Sequence, residues 1–566
     1  MDWDKEKMKK WIVFFFFGVL FSLGFYFFAD YGLSYDEPTE RGSGIRSAFT
    51  AIKFFTGNSF GYDLEKWSDC YYGMGLQHIL LLGDYLAGVF TPLADENPQS
   101  WLLRHLLTFL FTWVGLIFLY MTGRLLWRDR LKALVPVVIF LFMPRFLAES
   151  FYNVKDMGLL AGMMTGGYFM VRYALFTTWK NALLLGIASA FVCSIRLAGL
   201  QLFLAGVGIA IFMDLFCKGK WQMRKILLQL FTLFVSFYIC MILFHPASWT
   251  RGYHDFFFKA VAFMLHHPWN GTVRFCGADY IAGKTTPWYY LAVWIGVTTP
   301  LPVLFVLFFG SGGILKKLFR APRLCFRKRT MLLILLFFCM FWVELLFITR
   351  FVKSYYNGWR QFYFLAYPLF FLAACGVFYL WHWVKSRKQL RLGFLGIIAV
   401  ITGLHIAWVA AHHPYQYLYF NILPSDPQNQ FELDYWYVSY KDAMNRIMEN
   451  ESGKSRHILL AYNIPPSISF GMVGNEDTKK FLLVSPRGHF DYVIIINNRL
   501  ASQAECDKIY PLTNGNGYGN RKVIFDEIRY VHNSIWTKKV TAYRIVGCER
   551  TPDVMVEDVG AYLRDL

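Results

Sequence analysis

The sequence predicts a polytopic α-helical membrane protein with about 11 transmembrane helices and a small C-terminal extracytoplasmic α/β domain. Of its 566 residues, 56% are hydrophobic and 17% are charged, which excludes a single water-soluble globule. Apolar runs of about 20 residues recur from position 11 to about 411, and each is long enough to cross a hydrocarbon core of about 30 Å. Turn-rich sequence with short β-type runs follows from position 412.

The predicted spans are the apolar runs themselves. They lie at about 11–28, 103–121, 133–147, 157–176, 181–199, 200–216, 226–244, 287–310, 331–349, 362–382 and 393–411. Four lysines precede the first run and basic residues cluster in alternate connections, so the positive-inside rule places the N-terminus in the cytoplasm. An odd number of spans places residues 412–566 outside, on the face that carries the long loops 29–102 and 245–286.

Two domains follow from this division. Residues 1–411 form the transmembrane domain, and residues 412–566 form the extracytoplasmic soluble domain. In the second domain, the apolar runs and polar turns predict strands at 457–462 and 491–497, a turn at 514–520, and a strand pair at 521–531 and 540–546.

The net charge of +19 reflects basic residues in short loops between the apolar runs. Such loops contact anionic lipid headgroups, so membrane lipids are expected partners and nucleic acid is not. The ten cysteines form no CxxC pair and no Cys/His array with zinc-like spacing. One or two disulfides among Cys70, Cys276, Cys506 and Cys548 remain open. Without a GxGxxG or P-loop motif, a nucleotide-sugar donor and ATP-driven transport are unsupported.

Two adjacent carboxylates, Asp36 and Glu37, lie just beyond the outer end of the first span. Adjacent carboxylates at a membrane surface suit proton abstraction or metal binding. The alternative is that Asp-Glu-Pro starts a helix in a solvated loop. The next outer connection, MPRFLAESFYNVKDMG, carries Arg145, Glu149 and Lys155 together with Asp156, which can cap the following helix.

Cations also occur on the face where the positive-inside rule disfavours them. These are Arg145, Lys155, Arg196, Arg350, Lys353 and Arg360. Such cations call for a local anion, and a phosphate at the membrane suits arginine well. The alternative for each one alone is a headgroup contact. Glu344 lies within a span as either a functional or a neutral, hydrogen-bonded residue, and His405 is interpreted as a packed polar residue.

The arrangement resembles the GT-C superfamily of integral membrane glycosyltransferases, in its bacterial branch related to protein O-mannosyltransferases and aminoarabinose transferases. The likeness rests on YDEP in loop 1, PRFLAESFYNVKDMG in the next outer connection, PWYYLAVWIGVTTPLP, NGWRQFYFLAYP, HPYQYLYFN and ELDYWYVSYKDA. These strings extend over nearly the whole chain. The acidic pair after helix 1 and the second acidic residue in the next outer loop are the most telling features.

The resemblance implies a glycosyltransferase of the bacterial cytoplasmic membrane. Its donor is a sugar on a polyprenyl phosphate, its acceptor is reached from the outer face, and the anomeric carbon is inverted. It implies Asp36 as the catalytic base, with Glu37 and Asp156 in support. It places Lys155, Arg196 and Arg360 near the donor phosphate. The other outer cations, Lys353 and Arg145, are added as further candidates for binding that phosphate. A lipid, glycan or protein acceptor and a divalent metal stay open.

Two other functions remain as alternatives. A transporter or flippase of lipid-linked sugars predicts inverted repeats and broken helices, and the sequence indicates neither. A glycan polymerase or ligase predicts basic and histidine residues in a long outer loop. Loop 245–286 has them in His245, Arg251, His254, His266 and His267.

Overall fold

The structure is a computed structural model. It describes residues 2–58, 61, 67, 69–91, 97–219, 222–265, 269, 271–352, 356–450, 456–460, 481–483, 492–496, 523–532 and 539–548. This part of the chain is mostly helical and has a small sheet near its C-terminus, so the predicted fold class is confirmed.

The helices are numbered in chain order. Helices α1 to α10 are Asp2–Phe27, Asp36–Thr56, Gly75–Leu86, Pro98–Trp127, Arg130–Leu141, Pro144–Tyr152, Val154–Leu175, Trp179–Cys193, Leu200–Lys218 and Met223–Phe244. Helices α11 to α21 are Ala247–Arg251, Tyr253–Leu265, Tyr290–Thr298, Leu301–Arg320, Pro322–Arg327, Arg329–Phe338, Glu344–Phe351, Ala366–Val384, Lys388–Ala411, Pro427–Gln430 and Tyr440–Asn450. Short 3-10 turns lie at Leu197–Gly199, Arg360–Leu365 and Gln416–Leu418, and a π-helical turn at Cys339–Val343 joins α16 to α17.

Within the described residues, eight helical stretches are long and apolar enough to cross a membrane. They are Lys5–Phe27, Pro98–Trp127, Leu197–Cys217, Met223–Phe244, Leu301–Arg320, Arg329–Phe351, Arg360–Val384 and Lys388–Ala411. The bent pair α5 and α6 gives a ninth span if it counts as one. The protein is therefore a multi-pass membrane protein, but eight or nine spans meet this criterion rather than the eleven predicted. The other two predicted spans are also helical: α8 has only 15 residues, and α7 is rich in glycine and largely buried by neighbouring helices.

Two predicted spans are interrupted by proline. The run at 133–147 forms α5 and α6, which are bent by 79° at the break before Pro144. The run at 287–310 likewise ends α13 at Thr298 and starts α14 at Leu301, with Pro300 between them. Proline lacks the backbone N–H that would continue a helix, and it disfavours helical geometry in the residue before it. The hydropathy of the sequence did not predict these two breaks.

The loops predicted at 29–102 and 245–286 contain regular structure. The first includes α2 and α3, and the second includes α11, α12 and the antiparallel strands β1 (Thr272–Phe275) and β2 (Ala278–Ile281). Both therefore form a layer of short elements at one end of the helical bundle.

Helix α18 lies in the centre of the bundle and α19 at its edge. The stretch Arg360–Val384 is 72% buried by protein, whereas Lys388–Ala411 is 0% buried, so α19 presents its apolar surface to lipid. Close packing of α18 against α14 depends on Gly376, where an added Cβ would lie 1.9 Å from the carbonyl oxygen of Val306. Only glycine lets the two backbones approach this closely.

The chain after α19 returns across the same end of the bundle. Tyr31 donates a hydrogen bond of 3.0 Å to Gln416, and the side chain of Asn421 donates one of 2.7 Å to the carbonyl of Thr299. The predicted domain boundary at 411/412 thus separates spans from later sequence, but the residues just after it pack against the helices. Whether residues 412–566 act as one domain stays a proposal.

The C-terminal sheet has five strands. Strands β3 to β7 are Arg456–Leu460, Phe481–Leu483, Tyr492–Ile496, Val523–His532 and Lys539–Cys548. Their order is β4-β3-β5-β7-β6, with β3 parallel to β4 and β5 and the other neighbours antiparallel. The pairing of β6 with β7 matches the predicted strand pair, whereas the predicted turn at 514–520 lies outside the described residues.

Candidate active site

The site is built around an ion pair between Asp36 and Arg360. Asp36 is the first residue of α2, and Arg360 begins the 3-10 turn that leads into α18. The guanidinium Nη1 donates a hydrogen bond of 2.6 Å to Asp36 Oδ2. The turn before α2 is held by the backbone N–H of Tyr35, which donates 3.0 Å to the carbonyl of Trp436. The pair thus joins two helices that are distant in sequence.

A second ion pair lies beside the first. Asp156 is in the first turn of α7, where its backbone N–H donates 3.0 Å to the side chain of Asn153. Its carboxylate is fully buried and lies 2.5 Å from Arg196 Nη2. Arg360 Nη1 is also 3.6 Å from Asp156 Oδ2. Arg360 therefore bridges the two carboxylates that the sequence singled out in separate connections.

A third pair, Lys155 with Glu40, lines a cavity next to these residues. Lys155 Nζ lies 3.3 Å from Glu40 Oε1 and 4.2 Å from the centre of the Tyr72 ring. The cavity is small and opens to solvent. Its lining residues are Glu40, Ser43, Asp69, Tyr72, Gly73, Met74, Leu76, Gln77, Val154, Lys155 and Ile195. A ligand in this cavity could reach the lysine directly.

The two carboxylates of α2 that face these cations have pKa values shifted in opposite directions. Burial raises the pKa of Asp36, but Arg360, Lys155 and Arg196 together hold it below its ordinary value. Burial also raises the pKa of Glu40 to about 7, opposed by Lys155 and reinforced by the nearby negative charges of the two aspartates. At neutral pH, Asp36 is therefore ionised while Glu40 is close to its midpoint of titration.

Aromatic rings surround the bridging arginine. The Arg360 guanidinium lies 4.4 Å from the centre of the Trp436 ring and 5.3 Å from that of Tyr356. Trp436 is 2% exposed and belongs to the segment between α19 and α21. Stacking of arginine on an aromatic face is favourable and fixes the plane of the guanidinium.

Glu37 faces away from this group. It accepts a hydrogen bond of 2.7 Å from the backbone N–H of Ser34, and one of its oxygens is 3.1 Å from His105 Nε2. Both Glu37 and His105 are buried. The structure therefore places Glu37 behind the two aspartates, where it holds the turn that precedes α2.

The remaining candidates lie elsewhere. Arg145 donates 3.0 Å to the carbonyl of Tyr419 and lies 4.7 Å from the centre of the Phe420 ring, so it is buried against the segment that follows α19. Lys353 lies outside the described residues. His405 contacts the Leu141 carbonyl at 2.9 Å, as expected of a packed polar residue.

Two residues of the site were not predicted: Glu40 and Trp436. Glu40 lies four residues after Asp36, a spacing that brings two side chains to one face of a helix. A helix start at Asp-Glu-Pro was one of the two interpretations of this segment, and α2 begins there, but Glu40 was not singled out within it. The position of Trp436 depends on tertiary packing. In the sequence, it was noted only as part of the string ELDYWYVSYKDA, which contributes to the family resemblance.

No metal site accompanies these carboxylates. In the described part of the chain, no group of three or more histidine, cysteine, aspartate or glutamate residues could hold a metal ion. Asp36 and Asp156 are instead paired with arginines, which supply the positive charge next to them. Cys276, one of the candidates for a disulfide, is a free thiol.

The chain was compared with known proteins. Residues 90–251 match the family model described as dolichyl-phosphate-mannose-protein mannosyltransferase. The predicted resemblance to protein mannosyltransferases is confirmed. The match to the mannosyltransferase model includes Lys155, Asp156 and Arg196, whereas Asp36 and Arg360 lie outside it.

Solved structures similar to the chain include two of ArnT from Cupriavidus metallidurans. The apo structure has a TM-score of 0.44, and the structure bound to undecaprenyl phosphate has a TM-score of 0.42. Each is 12% identical in sequence and covers 95% of this chain and 98% of that chain. No curated protein sequence matches the chain.

Proposed function

We propose that this protein is a membrane glycosyltransferase that moves a hexose or pentose from a polyprenyl phosphate to an acceptor hydroxyl. The reaction takes place on the extracytoplasmic face and inverts the anomeric carbon. The observation that carries the proposal is the bridge of Arg360 between Asp36 and Asp156, with Lys155 and Arg196 in the same group. The match of residues 90–251 to mannosyltransferases that use a dolichyl-phosphate sugar supports the donor class.

The cations suit the leaving group of such a reaction. When the bond between the anomeric carbon and the phosphate oxygen breaks, the electron pair stays on the oxygen and the phosphate gains negative charge. Lys155, Arg196 and Arg360 lie where they can stabilise this charge as it develops. Arginine also presents paired N–H groups that match the geometry of phosphate oxygens.

Asp36 suits the role of the base. Its side chain is 28% exposed, more than those of Asp156 and Arg360, so an acceptor hydroxyl can approach it from the aqueous side. The hydroxyl oxygen forms the new bond to the anomeric carbon while its proton passes to the Asp36 carboxylate. Attack on the face opposite the leaving phosphate gives inversion.

Glu37 and Asp156 support this arrangement in different ways. Asp156 holds Arg196 and contributes to the hold on Arg360, and Glu37 fixes the turn that presents Asp36. The donor-phosphate group proposed here consists of Lys155, Arg196 and Arg360. Arg145 is held by Tyr419 and Phe420 and is not included in it.

The proposed location is the cytoplasmic membrane of a bacterium, with the N-terminus inside and the site outside. Basic residues in the predicted cytoplasmic connections support this orientation. The acceptor is a lipid, glycan or protein that presents a hydroxyl to the outer face.

The test is release of the lipid carrier by the purified protein. Synthetic undecaprenyl phosphates carrying single hexoses or pentoses are incubated with the protein, and free undecaprenyl phosphate is measured by mass spectrometry, with water or a hydroxyl compound as acceptor. We expect the wild type to release the carrier from at least one of these sugar phosphates, and Asp36→Asn to lose this release. The control Asp255→Asn, which changes an exposed acid paired with Lys259, should retain it. A folded protein that releases the carrier from none of them contradicts the proposal.

A further inference from the structure

Glu40 occupies the position that a ligand anion would need. It is 3.3 Å from Lys155, it is buried, and both residues line the same cavity. A lysine that is already paired with a carboxylate binds a phosphate only weakly, unless the carboxylate moves away or loses its charge. The other two cations are paired as well, with Asp36 and Asp156, but those acids are the ones proposed for the reaction.

A buried chain of polar side chains holds Glu40 from behind. Gln77 donates a hydrogen bond of 3.1 Å to Glu40 Oε2, and Arg104 donates to the carbonyl oxygen of Gln77. Arg104 is fully buried and also donates 3.4 Å to Asp84. A fully buried arginine is costly unless it is paired. The paired Arg104 therefore indicates a chain that holds specific side chains in place, in addition to packing the interior.

We infer that Glu40 is a positioning residue that holds Lys155 until the donor phosphate replaces it, and that Gln77 and Arg104 keep Glu40 in place. This inference rests on the proposed function. In the empty site, ionised Glu40 neutralises Lys155. As the phosphate arrives, Lys155 pairs with it, and Glu40 takes up a proton while it keeps its hydrogen bond from Gln77.

The groups around Glu40 set the direction of the pH effect. Those near it are Asp36 on α2, Asp69 and Tyr72 on the cavity wall, Arg104 on α4, and Lys155 and Asp156 on α7. With its pKa at about 7, Glu40 is neutral at pH 6 and ionised at pH 8. A bound anion raises this pKa further. By linkage, each unit of that rise weakens anion binding about tenfold as pH increases through both values.

The test measures binding of an anion whose own charge is constant. The methyl diester of undecaprenyl phosphate carries one negative charge throughout this pH range, and its dissociation constant is measured with the purified full chain between pH 6 and pH 8. Because pH 8 lies only about one unit above the pKa of the empty site, wild type should bind roughly five- to tenfold more weakly at pH 8 than at pH 6. Glu40→Gln should lose most of this dependence and bind more tightly than wild type at pH 8.

Two further variants complete the design. Glu40→Asp keeps the titration but shortens the side chain, so it should lie between wild type and Glu40→Gln at pH 8. Asp255→Asn removes an exposed acid from a lysine pair and should behave as wild type. A structural role alone would alter stability without removing the pH dependence.

The outcomes separate the two proposals. If Glu40→Gln keeps the full wild-type pH dependence, Glu40 does not compete for Lys155, and the proposed function is unaffected. If the folded wild type binds the diester at no pH, the proposed donor class is wrong, and this inference is wrong with it.

Discussion

Arg360 donates a hydrogen bond of 2.6 Å to Asp36, and the two residues are 324 positions apart in the chain. One begins α2 and the other begins the turn before α18, so the contact closes the site between an early and a late helix. Since Arg360 also lies beside Asp156, its one guanidinium determines the spacing of both aspartates. The same contact lowers the pKa of Asp36 and, in the proposed reaction, would hold its carboxylate for an incoming hydroxyl.

Replacing Asp36 with asparagine should abolish transfer while sparing donor binding. Asparagine keeps the size of the side chain but cannot accept the proton, and general-base catalysis contributes about 10² to 10⁴-fold in rate. Single-turnover carrier release and diester binding are measured on the same purified sample. Near-normal turnover in Asp36→Asn with a large loss in Asp156→Asn would move the base to Asp156.

Replacing Arg360 with methionine should destabilise the folded protein as well as lower turnover. The change leaves two carboxylates without their bridge, and breaking a buried ion pair typically costs about 3–5 kcal/mol. Arg360→Lys keeps the charge, but a single ammonium cannot both bridge the two acids and stack on Trp436, so we expect only partial rescue.

The matched control for these variants is Arg446→Met. Arg446 is exposed and pairs with Glu449 and Glu527. Exposed pairs of this kind contribute little to stability. A thermal midpoint that falls equally in the Arg360 and Arg446 variants would contradict the special role of Arg360.

Replacing Gly376 with alanine should weaken the packing of α14 against α18. The new methyl group would lie 1.9 Å from the Val306 carbonyl oxygen, and overpacking in a core typically costs about 1–3 kcal/mol. Gly312 has no neighbour within 4 Å of an added Cβ, so Gly312→Ala should leave stability unchanged or slightly improved. Thermal unfolding in one detergent compares them, and equal midpoints would show that the helices can separate without cost.

A reporter fused after Leu566 should be active only if it is one that functions in the extracytoplasmic compartment. The basic connections predict this orientation, and the proposed reaction requires it. A phosphatase and a fluorescent protein, which work on opposite sides of the membrane, are fused in parallel. Cytoplasmic activity of the fusion would place the site on the wrong side for the proposed acceptor.

The sequence predicted which charged residues belong to the site better than it predicted how they are arranged. Charges at the predicted extracytoplasmic surface of the membrane are costly without partners. For this reason the sequence singled out Asp36, Asp156, Arg196 and Arg360. Their pairing could not be predicted, since each partner comes from a different connection. Glu40 was missed because the helix predicted as an alternative at Asp-Glu-Pro was taken to lie in a solvated loop, so residues one turn after Asp36 were not assigned to the site.

The helix breaks at Pro144 and Pro300 illustrate a different limit. Both prolines were visible, but hydropathy over a window of span length averages across a short interruption. The break at Pro144 matters for the site, because the short helix α6 that it starts leads to Asn153 and to the first turn of α7.

Trp436 follows the last predicted span, so the ring that packs on Arg360 is synthesised only after all the predicted spans. During biogenesis, the nascent chain can insert its spans before the pocket around the arginine is closed. In the proposed enzyme, a premature stop before Trp436 should therefore give a protein that inserts its spans but is inactive.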